Sequence, residues 1–328
     1  MTLDAPVLEV EGLTVTFKTR RGVVRAVEDV GLRVARGQTL GLVGESGSGK
    51  SVTAMAIMRL LPRHSTTIVA DRMAVQGQDI LALGADALPR LRGRLMGMIF
   101  QEPLNALNPT MTVGDQIVEA ARHHLGLDRR AALDHAAAML SRVRLPDAAR
   151  RLESYPHELS GGMRQRVMIA IALSCAPALL IADEPTTALD VTTQAQILDL
   201  IAQLRAETGT AVLLVTHDFG VIASMADHVA VMYAGQIVEY ATVRDIFAAP
   251  KHPYTQGLLR AIPRLGARFG TIAAKLLEIP GTVPGLHERP AGCRFANRCP
   301  LVQETCMTQV PPIVDLEGGH SVRCWLHT

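Results

Sequence analysis

The string Gly44-Glu45-Ser46-Gly47-Ser48-Gly49-Lys50-Ser51 constrains this chain more than any other feature. It fits G-x-x-x-x-G-K-[ST], follows the apolar run Thr39–Val43, and precedes a helix-like stretch at 51–60. A buried strand, a glycine-rich turn and a helix in that order make an anion cradle. Gly44, Gly47 and Gly49 let backbone N–H groups face inward, with Ser46 and Ser48 between them. The helix N-terminus adds partial positive charge. Lys50 can neutralise the β- and γ-phosphates of a nucleotide, and the Ser51 hydroxyl can ligate Mg²⁺. A glycine-rich turn with a chance lysine would not demand this strand–loop–helix setting.

The runs that follow suggest a parallel sheet around that loop. Leu179–Asp183 (LLIAD) and Ala211–His217 (AVLLVTH) are apolar and strand-sized, with a helix-period stretch Thr192–Glu207 between them. Two short strands are expected upstream, Val7–Val10 and Leu13–Phe17. From about Asn105 to Glu158 the chain is rich in alanine, leucine and arginine. Leu133, Ala136, Ala137, Leu140 and Val143 fall at helical spacing within Arg129–Val143, so a helical insertion is expected. Beyond about Ala241 prolines multiply and the texture becomes loop-rich, which places a boundary near 240.

Carboxylates and a histidine stand at the ends of these strands. Asp183 is placed to hold Mg²⁺, directly or through water, and Glu184 to polarise an attacking water as general base. His217 ends the next strand, with a role touching the γ-phosphate and that water. Gln101 follows the short apolar run Met98–Phe100 and can ligate Mg²⁺ through its amide oxygen. In Leu159-Ser160-Gly161-Gly162-Met163-Arg164-Gln165, Ser160 can cap the next helix and two glycines bare its first N–H groups. This is a second anion-binding helix start. Two cradles for one γ-phosphate make sense if two chains pair head to tail, each completing the other's site. The plainer alternative is a well-capped helix without a ligand.

Taken in order, GESGSGKS, Gln101, LSGGMRQR, LLIADE, the Thr187-Ala188-Leu189-Asp190 turn and His217 resemble the ATP-binding cassette (ABC) ATPases over about residues 7–240. The resemblance implies an α/β fold. Its parts are a P-loop NTPase cassette with a RecA-like core, an N-terminal β-subdomain, a helical subdomain at about 105–160, and a small loop-rich C-terminal extension. The nucleotide-binding domain would span 1–240 and the extension 241–328. The resemblance also implies ATP and Mg²⁺ as ligands, the latter at Ser51, Gln101 and Asp183. Glu184 and His217 would be catalytic. Ser160, Gly161 and Gly162 would contact the γ-phosphate held by a partner subunit, Gln165 would belong to the cofactor-binding set, Asp190 would lie in the turn linking the two sites, and Phe17 would stack on adenine.

His252-Pro253-Tyr254-Thr255, GLLRAIPRL, IPGTVPGL and CRFANRCP narrow this to the peptide-importer ATPases, and the D-type subunit of dipeptide/oligopeptide importers is the best match. That implies a second, paralogous ABC ATPase, two membrane permeases, an extracytoplasmic solute-binding protein acting indirectly, and a peripheral place on the cytoplasmic face of the inner membrane. Relatives of this group carry nickel, glutathione and other small solutes, so those substrates are the alternatives. The sequence shows no secretory signal and no run long enough to span a bilayer.

Four of the five cysteines, Cys293, Cys299, Cys306 and Cys324, are spaced C-x5-C-x6-C-x17-C. In a reducing compartment such clustering argues for metal before disulfide. The wide, irregular spacing suits a [4Fe–4S] cluster better than Zn²⁺, whose structural sites use tight C-x2–4-C pairs. The importer resemblance implies the same cluster. Zinc and unmetallated thiols remain alternatives, and His320 and His327 flank Cys324 as substitute ligands.

A soluble cassette acting on DNA or ribosomes is the competing function. A formal net charge of +2 and 3% aromatic residues disfavour a nucleic-acid partner, although overall charge leaves room for a local basic patch. The span from Gln101 to Ser160 suits a transporter's helical subdomain rather than a long coiled-coil insert, and only one set of motifs is present. A non-catalytic scaffold conflicts with intact Lys50, Glu184 and His217.

Overall fold

The computed structural model describes residues 5–84, 86–187, 189–262 and 279–328. Ala188 of the TALD turn and residues 263–265 of the GLLRAIPRL string lie outside the described residues. Strands β1 (Leu8–Thr19) and β2 (Gly22–Val34) form an antiparallel hairpin, and β3 (Thr39–Val43) leads into the glycine-rich loop. β4 (Thr66–Val69), β5 (Arg72–Val75) and β6 (Gln78–Asp79) then return to the first sheet, whose order is β2-β1-β5-β6 with β4 also on β1. The two short strands expected at the N-terminus are one strand, β1. Gly12 takes φ +63° and the register with β2 shifts between Val10 and Leu13, so a bulge replaces the expected break.

The second sheet is built on β3 with β7 (Met96–Ile99), β8 (Leu179–Asp183), β9 (Ala211–Thr216), β10 (His228–Tyr233), β11 (Gln236–Thr242), β12 (Val314–Asp315) and β13 (Ser321–Val322). Its order is β12-β13-β11-β10-β3-β9-β8-β7. From β10 through β7 every pairing is parallel. Every residue of β3, β8 and β9 is buried, as expected for apolar strands covered on both faces. Parallel alignment brings the C-terminal ends of β3, β8 and β9 to one edge, where Gly44, Glu184 and His217 follow them. That alignment makes the site.

The helical insertion is present as Val113–Leu125 and Arg129–Arg142. Thr112 accepts the Asp115 N–H and Asp128 accepts the Ala131 N–H, so each helix starts on a side-chain cap. Their inner faces, Ile117 and Ala121 against Ala132, Ala136 and Leu140, join the core of the larger sheet. Helix Gly161–Leu173 packs beneath them, and Val191–Thr208 buries Ile197, Leu200, Ile201 and Leu204 along one stripe.

The loop-rich extension is woven into this body. β13 pairs antiparallel with β11, Glu239 opposite Val322 and Tyr240 opposite Ser321. The boundary expected at 240 therefore falls inside a strand that the extension itself covers. Tyr254 and Phe295 are fully buried with Tyr233, ring centroids 4.6 Å apart for Tyr233–Tyr254 and 5.2 Å for Tyr233–Phe295.

Candidate functional site

The glycine-rich loop is closed by two steric requirements. A Cβ on Gly44 would come within 2.1 Å of the Met232 carbonyl oxygen. Gly49 caps helix Lys50–Ile57 with φ +108°, a conformation that side chains strain. Lys50 folds back over the loop and donates to the carbonyls of Gly44 at 2.8 Å and Glu45 at 3.0 Å. Burial holds its ammonium below the ordinary lysine value, while Glu184, Asp183 and Glu45 pull the other way. A buried cation that spends its donors on loop carbonyls is ready to exchange them for phosphate oxygens.

Asp183 ends β8 almost fully buried and accepts a hydrogen bond from Ser51 Oγ at 3.1 Å. Burial pushes its carboxyl up; the Ser51 hydrogen bond opposes this, Glu184 adds to it, and Lys50 pulls it down. A divalent cation fits this donor set, because it would be held by hard oxygens and would add positive charge beside a buried carboxylate.

Glu184 is the hub. Its backbone is left-handed, φ +46°, a conformation that costs a non-glycine residue about 1–3 kcal/mol. Its N–H is tied to Val215 O at 2.8 Å. Its Oε2 accepts from Gln101 Nε2 at 3.0 Å and Thr187 Oγ1 at 2.9 Å, and its Oε1 faces His217 Nδ1 at 3.0 Å. Burial raises the Glu184 carboxyl, but the hydrogen bonds from His217 and Thr187 and the charges of His217 and Lys50 outweigh it and hold the group below the usual value. An ionised, oriented carboxylate beside a phosphate cradle can act as a general base.

Lys50, Ser51, Gln101 and Glu184 open on one cavity of about 510 Å³, whose lining does not include Asp183 or His217. Phe17 from β1, Ser46, Gly47, Gly49, Lys50, Ser51, Gln101 and Glu184 line it. Val283–Leu286 of the extension line it too. Sequence reasoning missed that wall, and missed Thr187 as a ligand of Glu184. The hydroxyl three residues after Glu184 was a usable signal; for Val283–Leu286 only an apolar patch in a proline-rich stretch was.

Other expected residues stand elsewhere. Ser160 caps its helix, accepting from Met163 N, and Asp190 caps the next, accepting from Thr193 N at 3.0 Å. A Cβ on Gly162 would meet Thr193 Cγ2 at 2.8 Å, so these two helix starts lie side by side. Neither Ser160–Gly162 nor Asp190 lines the Lys50 cavity. Gln165 departs from its expected nucleotide contact: it is 2% exposed and its amide donates to Pro185 O at 2.5 Å. Burial commits that side chain to the turn after Glu184.

The four cysteines are free thiols in one region, each within electrostatic reach of the others. Burial pushes Cys293 up to about 11, with Cys306, Cys324 and Cys299 adding to it. Cys293 N–H donates to Cys306 O at 2.7 Å. The expected metal site is not reproduced here. Among the described residues no group of three or more His, Cys, Asp or Glu is arranged to hold a metal ion. A tetrahedral zinc site would need sulfurs about 3.8 Å apart. Among the described residues a single zinc ion therefore gains no preformed cage. Among the described residues, too, no helix is long and apolar enough to cross a membrane.

Residues 27–187 match the family model described as ABC transporter, and residues 238–306 the one described as oligopeptide/dipeptide transporter, C-terminal region. The chain is 52% identical over 326 residues to a peptide import ATP-binding protein of Brucella abortus, covering 97% of this chain and 96% of that one. It is 49% identical over 320 residues to a peptide ABC transporter ATP-binding protein of Sinorhizobium fredii, covering 97% and 94%. Among solved structures it resembles the dimeric cassette MJ0796 in a post-hydrolysis state bound to ADP and Pi. There the TM-score is 0.64 and the identity 26%, over 72% of this chain and 99% of that one. It also resembles cbiO1 of Clostridium perfringens, part of the cbiONQ transporter complex, with TM-score 0.62 and 25% identity over 75% and 92%.

Proposed function

This chain belongs to the ABC transporter family, and from that premise we propose that it is the ATP-hydrolysing subunit of an importer for dipeptides and oligopeptides. The observation that carries the ATPase reading is the Glu184 carboxylate, held by Gln101, Thr187 and His217 at the mouth of the loop that bears Lys50. The peptide substrate rests on the names of relatives about half identical over nearly the whole chain and on the matched C-terminal region.

In this reading the Gly44–Ser51 loop binds the triphosphate, and Lys50 gives up its carbonyl contacts to meet the phosphate oxygens. Ser51, Asp183 and the Gln101 amide oxygen would hold Mg²⁺, which would offset charge on the phosphates. Glu184 orients and deprotonates the attacking water, and His217 fixes the carboxylate. Phe17 and the Val283–Leu286 wall take the base. Ser160–Gly162, at their exposed helix start, would close on the nucleotide of a partner cassette, with the Asp190 turn beside them and Gln165 supporting the Glu184–Pro185 turn from below. We take residues 1–240 as the nucleotide-binding domain and 241–328 as its extension. The partner would be a paralogue, and two permeases would dock against the helical region from the cytoplasmic face of the membrane, supplied by a solute-binding protein.

We further propose a [4Fe–4S] cluster at Cys293, Cys299, Cys306 and Cys324. It is supported by the gathering of four thiols in one region, and a multi-atom cluster tolerates wider sulfur spacing than a single ion does. Iron and sulfide analysis of anaerobically purified protein tests it; zinc without sulfide, or no metal, would end it.

The transport reading is tested by uptake of labelled dipeptide in cells whose own copy is replaced by the Lys50→Ala variant. Loss of uptake is expected. Intact dipeptide uptake with lost nickel or glutathione uptake would move the assignment to those solutes.

A further inference from the structure

Three buried arginines each adjoin a cysteine in sequence: Arg294 follows Cys293, Arg298 precedes Cys299 and Arg323 precedes Cys324. All three turn toward the nucleotide-binding part of the chain. Arg294 reaches the Ala234 carbonyl and the Glu28 carboxylate, and Arg323 reaches Asp29 at 2.8 Å and Ile237 O at 3.3 Å. Arg298 reaches the phosphate loop itself. Its two terminal nitrogens grip Glu45, 2.7 Å to Oε2 and 2.9 Å to Oε1.

Every donor of this guanidinium is used. Besides Glu45, it donates to Pro280 O at 2.8 Å, Ile279 O at 3.2 Å and Tyr233 Oη at 3.3 Å. The side chain is only 5% exposed and lies within 6 Å of the Tyr233 and Phe295 rings. A filled, forked arginine fixes its acceptor in position as well as neutralising it. Glu45 puts a carboxylate in a loop that must receive a polyanion, and its carbonyl is one of the two that Lys50 grips. Its own N–H is tied to Tyr254 Oη at 2.9 Å.

We propose that Arg298 is a positioning residue for nucleotide binding: by neutralising and orienting Glu45 it lets the loop accept a triphosphate, and so makes affinity depend on the segment that carries Cys293 and Cys299. The proposal rests on the reading of Gly44–Ser51 as the ATP site. Left without Arg298, the Glu45 charge repels the phosphates; removed together with Arg298, it has nothing to repel.

The test is fluorescence titration of the full-length protein with a mant-labelled ATP. Arg298→Met should weaken binding about tenfold, within the range usual for coupled sites. Glu45→Gln alone is measured as the reference. The double variant Arg298→Met/Glu45→Gln should bind within about threefold of Glu45→Gln alone. A merely structural arginine would leave the double variant at least as impaired as the single one, and that result overturns the proposal. So does unchanged affinity in Arg298→Met. Should Arg298→Met not yield folded protein, Arg298→Gln, alone and with Glu45→Gln, is read by the same criteria. Failure of the wild type to bind the probe would instead sink the underlying loop reading.

Discussion

His217 Nδ1 lies 3.0 Å from Glu184 Oε1, and that contact ties the end of β9 to the end of β8. It also helps to keep the Glu184 carboxyl below its usual value, against the upward push of burial. Removing the imidazole therefore lets the pKa rise. Glu184 works as a base only when ionised, so the acidic limb of kcat/KM for ATP hydrolysis should move to higher pH in His217→Ala. A pH–rate profile of the two proteins checks this; superimposed acidic limbs would separate His217 from the protonation of Glu184.

Glu184→Gln should lower turnover by about 10²–10⁴-fold, the usual worth of a positioned general base. The amide keeps the shape and can still meet Thr187, so nucleotide binding should survive. Steady-state hydrolysis together with equilibrium ATP binding reads both halves. A wild-type rate would take Glu184 out of the chemistry.

Lys50→Ala removes the only side-chain cation that grips the carbonyls of Gly44 and Glu45 among the described residues. ATP affinity should fall at least about tenfold, the scale of one charge-assisted contact. Calorimetric titration measures it, and unchanged affinity would mean that the loop is not the phosphate site.

Leu286 is a wall of the cavity contributed from far downstream in the chain. A carboxylate there would be desolvated against a bound base, so Leu286→Asp should weaken ATP binding by about tenfold, while Leu286→Met should stay within a factor of about two. Equal affinities in all three proteins would show that the extension merely adjoins the nucleotide.

His252 is fully buried, and burial pushes its pKa down to about 3, with His327 adding to the effect. Above pH 6.5 the imidazole is neutral whether the chain is folded or not. As pH falls below 6.5 the unfolded chain takes up a proton that the folded one refuses, so stability declines until about pH 3. Each pH unit in that window costs up to about 1.4 kcal/mol. His252 also caps helix Pro253–Arg260 by accepting the Tyr254 N–H, a role asparagine can fill. His252→Asn should thus flatten the loss of melting temperature between pH 6.5 and 4. An unaltered slope would assign the acid sensitivity to other groups.

The nucleotide cradle was legible because its chemistry imposes local order: a strand, three glycines, a lysine and a hydroxyl within one turn. The strand ends at Glu184 and His217 were legible because both belong to buried apolar runs whose parallel pairing forces their ends together. What escaped the sequence is contact between distant segments. Nothing around Arg298 announces that its partner is Glu45, 253 residues earlier. The burial of Gln165 was hidden by its place in a string that reads as ligand-binding. Val7–Val10 and Leu13–Phe17 read as two strands, because a glycine that ends a strand and one that kinks it, as Gly12 does, leave the same mark in the sequence.

The pairing of β13 with β11 has a consequence for how the protein is made. β11 finishes emerging at Thr242, whereas its neighbour emerges only at Ser321. Throughout that stretch of synthesis Glu239 and Tyr240 of β11 lack the strand that pairs with them in the finished chain. Premature termination between these points would yield a fragment that keeps Lys50, Glu184 and His217 but lacks the strand beside Glu239 and Tyr240. Such a fragment should be lost to aggregation or proteolysis.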